Sequence, residues 1–565
     1  MIKSAYRIVF KSFLLVILGL GFAANLNVLS SAGRPGQEAL MSKQVDWNGD
    51  FADGWRNFDE LVKEQKFEAA SSLAEKMLAA ARDKKISDEW ARALIRCTQT
   101  RVALHGYETA VRFLRDQPWP DNSEGSSLLD LYYAETLVTY AREYSWEINR
   151  RERMDSRGEV DLRAWTRDQI YEEAQKAFEK VWRARVRLGD LPVARWKEYL
   201  SPNSYPAGIR PTLRDAVSYL WVDLLSDTNG WRPEQLSEIY RLNLKSLIRQ
   251  AEVDISLVDP SRHPLEKISV ILADLENWHM QKKEREAALE ARLERYRRLH
   301  EHLTEAEDRE RIERDLKEHL RTLSDVPWWA VGMAQLAEFI RMRREPDALV
   351  RAREVAVRGR TAFPDSTGGR HCLAIEKDIE RPDYILSGMQ NDNPLKKSIL
   401  VTHKNLPKIY FRAYSYDLLR AVETSDDYNL LPAGRELEKF VSGATPSNQW
   451  EAPLPPTPDY RMHKTFVVPP LDKPGVYLVV ASARPGFPKT DNRLTALCMT
   501  LGDLVLVTRH EGSEAEVTVL SGSSGKPAAG AEVMLYRLDW QKGHRRAELK
   551  LTDGRGIALF RPNES

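Results

Sequence analysis

Cys97, Cys372 and Cys498 are the only thiols in the chain. Their odd number and wide spacing fit neither a zinc ligand set nor a disulfide framework. They read as buried free thiols, the common state of unpaired cysteine. His300-Glu301-His302 offers two imidazoles. Residues two apart face different sides of a helix, and no third ligand is near in sequence, so no metal site is expected. Arg210 and Arg214 read either as an anion clamp or as arginines capping and packing an ordered loop. The second is preferred, because a guanidinium satisfies backbone carbonyls as readily as ligands. No Ser/His/Asp set, P-loop or dinucleotide loop is present, since the Gly-rich spots lie in strand turns rather than before helices. With no convergent acid, base or nucleophile, the chain is not expected to be an enzyme. No catalytic, cofactor-binding or metal residue is assigned, no cofactor is expected, and no small-molecule substrate.

The elements that carry these residues fall into two halves within 565 residues, a length that allows several domains. Charge is abundant but balanced, 84 basic side chains against 83 acidic, so nothing points to nucleic acid. Residues 1–32 read as a secretory signal peptide: Lys3, Arg7 and Lys11 precede the apolar run Phe13 to Leu20, and small residues follow at Ala23 and Ala32. The apolar run falls short of the ~20 residues of a spanning helix, although an uncleaved anchor is the other reading. The mature chain is expected to be periplasmic or extracellular, with association with the cell envelope as a further expectation.

Residues 50–365 read as an α-helical, repeat-like domain. Phe58, Leu61 and Val62, then Phe67, Ala70, Leu73, Ala74, Met77 and Leu78, recur at helical spacing. Paired short helices of this kind are similar to a tetratricopeptide solenoid, but no clean repeat of about 34 residues is visible. Within this half, Asp190 to Tyr219 carries Pro202, Pro206 and Pro211 and must cross between helices as an ordered segment. Residues 265–323 are the most charged and read as a helical arm, either two antiparallel helices or one helix broken near Thr304. There Leu289, Leu293, Tyr296, His300 and Leu303 keep a 4-3-4-3 spacing, and Thr304 with Glu307 fits a capping box.

The switch to period two at Gly368-Gly369 marks a strand half: residues 370–500 as one β-sandwich and 501–565 as the start of a second. Ile399-Val401, Ile409-Phe411-Ala413, Phe466-Val468 and Tyr477-Val479-Ala481 are read as the inward positions of strands. Leu504-Leu506 and Val517-Val519 are read in the same way, in half-buried strands. The run SGSSGKPAAGA and the pair Asp553-Gly554 with Gly556 supply turns between later strands. Ser442 to Asp459, SGATPSNQWEAPLPPTPD, reads as a solvated proline-rich loop. An immunoglobulin-like sandwich takes roughly 100 residues and seven strands, so the 501–565 module is expected to be incomplete.

Three sets of phrases give the chain a family resemblance. GKPAAGAEV followed by TDGRG resembles the turns of a macroglobulin domain near the start of bacterial alpha-2-macroglobulins. YLSPNSYPAGIRPTLRDAVSY resembles a segment in the helical amino-terminal part of the same family. LPKIYFRAYSYDL and LDKPGVYLVVASAR resemble its first macroglobulin domain, where K-x-Y-F-R-x-Y and L-x-x-P-G-x-Y-L recur. The order is the family's, over about two thirds of the chain. The resemblance implies a multidomain α + β chain with helical-repeat-like and macroglobulin sandwich domains. It implies the N-terminal segment of an exported proteinase (endopeptidase) inhibitor, with proteinases as partners of the full-length protein. The family's thioester motif, Cys-Gly/Leu-Glu-Gln, is absent: Cys97 precedes Thr-Gln-Thr, Cys372 Leu-Ala-Ile, and Cys498 Met-Thr-Leu. The family places its bait region beyond this chain, so Ser442 to Asp459 is not expected to be one, and the role implied is scaffolding. The alternative is a cell-surface binding or adhesion protein built from helical repeats and Ig-like modules.

Overall fold

The structure, a computed structural model, describes residues 47–561 apart from 153–159, 202, 250–255, 389–391, 394, 426–427, 512–513 and 540–542. The signal segment expected at 1–32 lies outside the described residues. No described helix is long and apolar enough to cross a membrane. The chain divides into two compact units, one running to Phe339 with Ser366–Gly368, the other comprising Ile340–Asp365 and Gly369–Ser565.

The first unit is helical. It opens with α1 (Phe51–Lys63), α2 (Phe67–Asp83), α3 (Ser87–Ala103) and α4 (Tyr107–Asp116). The left-handed residues Gln65, Lys85 and His105 fall twenty residues apart, one after each of the first three helices. In each turn the next amide reaches back five residues: Lys66 N–H to the Leu61 carbonyl (2.9 Å), Ile86 to Ala81 (2.9 Å), Gly106 to Arg101 (2.8 Å). This is the Schellman closure, which satisfies carbonyls that a helix end would otherwise leave bare. The repeat therefore has a twenty-residue metre per helix, hidden from sequence because the turn residues are Gln, Lys and His rather than glycine. On α2, Ala70, Leu73, Ala74, Met77, Leu78 and Ala81 form the buried stripe, alternating steps of three and one.

Next come α5 (Ser123–Glu143), α6 (Arg167–Arg183) and, after the crossing segment, α7 (Leu213–Ser226), α8 (Pro264–Gln281), α9 (Arg285–His302), α10 (Ala306–Leu320) and α11 (Trp329–Arg341). The stretch 265–323 holds three helices rather than the one or two expected, since the chain also breaks between α8 and α9. The break between α9 and α10 falls near Thr304 as expected, but the cap of α10 is Glu305, and no side chain closes it. The charged stretch is not a projecting arm. Leu289, Leu293, Tyr296, His300 and Leu303 are buried, and so are Glu290, Glu294 and Arg295 of the same helix. The charges pair with one another and with neighbouring helices, which lets α9 bury polar faces as well as apolar ones.

In the second unit α12 (Ala348–Ala362) and α13 (Thr367–Glu380) precede the strands. Period two therefore starts at Asp383, not at Gly368-Gly369, which lie inside α13. The helices stay with the strands through Asn405 Nδ2, which donates to the Ile379 carbonyl at 2.9 Å. Arg353 with Glu380 (2.6 Å) and Arg360 with Glu376 (2.7 Å) tie α12 to α13.

β1 (Asp383–Gly388), β2 (Ile399–Lys404) and β5 (His463–Val467) form one antiparallel sheet in the order β1-β2-β5. β4 (Asn448–Pro453), β3 (Lys408–Ser415), β6 (Gly475–Ser482) and β7 (Leu494–Leu501) form another in that order. Tyr384, Ile399, Val401, Ile409, Phe411, Val479 and Met499 share a core between them. The other face of β6, Leu478 and Val480, packs with Tyr414, Leu437 and Val441, the last two on α15 (Gly434–Gly443). A strand buried on both faces loses its alternation, which explains the run GVYLVVAS.

Two sequence expectations change here. Ser442 to Asp459 is not wholly loop: β4 lies inside it, paired antiparallel with β3, and Trp450 stacks on Phe411 at 4.9 Å between centroids. Before β4 run α14 (Leu418–Thr424) and α15. The inward residue of β5 is Val467, whereas Phe466 is 68% exposed. In the apolar run Phe466-Val467-Val468 both phases were open on sequence, and pairing chose the other one.

The chain ends with β8 (Leu504–Glu511), β9 (Glu514–Ser521), β10 (Glu532–Asp539), β11 (Gly543–Leu551) and β12 (Ile557–Phe560), in sheets of order β12-β9-β8 and β10-β11. Val517, Val519, Ala558 and Phe560 from the first sheet share a core with Val533 of the second. Gly556 must be glycine: its φ is +75°, and a Cβ would lie 2.5 Å from the Val519 carbonyl oxygen. Asp553 fixes this turn by accepting from the amides of Arg555 and Ile557, both at 2.9 Å.

Candidate functional site

The crossing segment places Arg210 and Arg214 against carboxylates of α8 and α9. Arg210 Nη2 donates to Glu290 Oε1 at 2.7 Å and Glu294 Oε2 at 3.0 Å. Its guanidinium lies 3.4 Å from the ring centroid of Tyr219 and 4.0 Å from that of Tyr205. Trp328 Nε1 donates to the other oxygen of Glu290 at 2.8 Å. Burial opposes ionisation of Glu294, but Arg297, Arg298 and Arg210 outweigh it and hold its carboxyl well below the usual range. Arg214 Nη2 donates to Asp274 Oδ2 at 2.6 Å, an acid shared with Arg185. Both arginines are thus engaged with internal acids: the loop-packing reading describes them, and the anion clamp does not. Removing one member of such a set would leave a buried charge uncompensated.

A second buried group joins the same elements. The ring nitrogens of His279 meet Asp215 Oδ1 at 2.8 Å and Glu284 Oε2 at 2.7 Å. Asp215 also closes the capping box of α7 by accepting from Thr212 N and Oγ1 at 3.0 and 2.7 Å. An imidazole that donates at both nitrogens is an imidazolium. Burial pulls its pKa down, but Asp215 and then Glu284 outweigh that and raise it. No local sequence signal marks this group, because Asp215 and His279 are 64 residues apart.

His300 and His302 point to different surroundings, His300 stacked on Phe339 at 3.8 Å and His302 against Trp231 at 4.8 Å. Among the described residues no group of three or more His, Cys, Asp or Glu side chains is placed to hold a metal. Cys97 and Cys372 are buried and Cys498 half-buried. Burial pushes the Cys97 and Cys372 thiols up to about 12, far from the thiolate that chemistry would need.

A cavity of about 30 Å³ opens beside Lys267, Gln175, Tyr171, Gln235, Arg232 and Asp168, room for about two waters. Lys267 Nζ donates to Gln175 Oε1 at 3.0 Å, and burial holds its ammonium down to about 8. The space is too small for an organic substrate.

What the described residues do expose is apolar strand surface. Phe466 on β5 and Leu504, Leu506 and Val507 on β8 are each more than half exposed. The alternation of Leu504 and Leu506 suggests half-buried positions, yet β8 is an edge strand whose free side is open. A monomer's scattered exposed leucines need no explanation, but a row on a sheet edge is a surface for contact.

No protein-family model matches the sequence, and no curated protein does. Two solved structures match in part, both of native alpha-2-macroglobulin from Escherichia coli. One spans domains MG0-NIE-MG1 and is 17% identical over 32% of this chain, with a TM-score of 0.25. The other spans NIE-MG1 and is 19% identical over 30% of this chain, with a TM-score of 0.24. The match spans 58% of the first structure's chain and 79% of the second's. At these values the likeness adds no weight of its own, and the family reading rests on the residues.

Proposed function

We propose that this chain is the amino-terminal part of an exported alpha-2-macroglobulin-like proteinase inhibitor, supplying scaffold rather than bait or thioester. The observation that carries the reading is the placing of its two strand phrases. KIYFRAYS forms β3 and GVYLVVAS forms β6, and they pair antiparallel in the middle of one sheet, Phe411 against Ala481 and Ala413 against Val479. Phrases far apart in sequence thus act as one structural signature, as parts of a single macroglobulin module would. The turn phrases support it further, since Gly556 and Asp553 each have a definite geometric duty. On this reading the chain is not an enzyme, its sheets belong to macroglobulin sandwiches, and its partners are proteinases met through a longer product outside the cytoplasm.

The test recovers the native product from its source cells with an antibody raised against residues 47–561. It should exceed the 64.8 kDa of this chain and should protect a large protein substrate, but not a short peptide, from an added endopeptidase. A native product of 64.8 kDa or less that leaves both cleavages unchanged would refute the reading.

A further inference from the structure

β8 pairs with β9 on one side only, and its other side is open among the described residues. The Asp503 carbonyl accepts from the Gly522 amide. That bond phases the ladder, so that Leu504, Leu506 and Thr508 turn their own backbone groups outward, away from β9. Three consecutive outward N–H and C=O pairs form a template for one more antiparallel strand. The side chains are unprotected too: Leu504 and Leu506 are each 53% exposed and Val507 51%. Leu504, Leu506 and Thr508 lie on the face that carries the core residues Val517 and Val519, while Val505 and Val507 lie on the other.

We propose that this edge pairs with the same edge of a second copy, about a two-fold axis through Leu506. An axis normal to the sheet keeps each face on its own side, so directly opposed residues must come from the same face. Centred on Leu506, the pairing sets Leu504 against Thr508 and Val505 against Val507 of the other copy. It also sets Asp503 against Arg509, twice, once on each side of the axis. Charge complementarity selects this register, because a centre one residue later would set Arg509 against Val505. Asp503 is exposed, and its carboxylate already accepts from Ser521 Oγ at 2.7 Å and the Ser523 amide at 2.8 Å, which holds it in place. On its own sheet Arg509 lies beside Glu516. The strand is thus self-complementary in hydrogen bonds, apolar faces and charge, and it asks for no other partner. The inhibitor reading places further strands of this module after residue 565, and the inference requires that they leave the β8 edge free.

A ladder this short makes a weak, salt-sensitive dimer. Sedimentation equilibrium of the full chain between about 5 and 200 µM should show the average mass rising from 64.8 kDa toward twice that value. Arg509→Asp should weaken association about tenfold and reverse its salt dependence, since it sets two carboxylates opposite each other on each side of the axis. Leu506→Lys should abolish it by setting two ammonium groups at the axis. Asp503→Arg combined with Arg509→Asp should regain association relative to Arg509→Asp alone. Far-UV circular dichroism checks that each variant keeps its fold. A chain that stays monomeric throughout overturns the proposal. So does an association that Arg509→Asp and Leu506→Lys leave unchanged, for then the contact lies elsewhere.

Discussion

Burial opposes a charge on His279, but the two carboxylates that face its two ring nitrogens raise its pKa. With its folded pKa raised above the ordinary imidazole value of 6.5, its contribution is complete below that value and declines as pH rises through the raised one. The other charges around it are already committed, Lys282 to Asp190 and Arg214 to Asp274. His263, His302 and His319 titrate the opposite way, since burial lowers all three. The informative quantity is therefore the difference between the native chain and His279→Gln. At pH 6 the native helical unit should be more stable by about 1–3 kcal/mol, the worth of a charged hydrogen bond. That margin should shrink steadily above pH 7, as followed by thermal denaturation in a pH series. A margin that grows with pH would mean the ring is neutral in the fold. Sequence could not show this group, nor the carboxylates that receive Arg210, because each is assembled from separate helices. It did show that the crossing segment must be ordered, since three prolines in ten residues leave no helix to hide in.

Elements tell a mixed story of legibility. Strands with strict alternation, such as Ile409-Phe411-Ala413, were readable, and so was the break between α9 and α10. Runs of consecutive apolar residues were not, and β5 took the phase opposite to the expected one. β4 was masked by its prolines, yet Pro453 only ends the strand, where a missing amide costs nothing. This has a consequence for proteolysis. The backbone of residues 448–453 is bonded to β3, whereas most of residues 484–493 are exposed between β6 and β7. Proteinase K at low ratio should cut within 484–493 well before 448–453, because cleavage needs locally opened backbone. Mass spectrometry of the first fragments gives the answer, and an early cut inside 448–453 would contradict the pairing.

For the whole molecule the practical boundary is not where the glycine pair suggested it. Cys372, Ile375 and Ile379 of α13 are buried, as are Ala352, Val355 and Ala356 of α12. The strand half therefore includes both helices. A polypeptide of residues 344–565 should fold as a cooperative unit. One beginning at residue 370 keeps only part of α13 and lacks α12. Its melting temperature should be lower by more than about 5 °C, or it should aggregate, because apolar helix surface is laid bare. Equal melting temperatures would show that α12 is dispensable to the strands.

The spacing of partners also sets an order in time. The left-handed turns of the opening helices close over six residues, so those hairpins can form one after another as the chain is made. Arg210 must wait for Glu290, 80 residues later. At about 5–20 residues per second that is a delay of about 4–16 s. Throughout it the crossing segment has its tyrosines and its guanidinium but not its acids, and water has to serve in their place. During synthesis, then, the first helical turns can close before the guanidinium of the crossing segment meets its acids. Slowing translation across α9 would prolong that interval without changing a single contact in the finished protein.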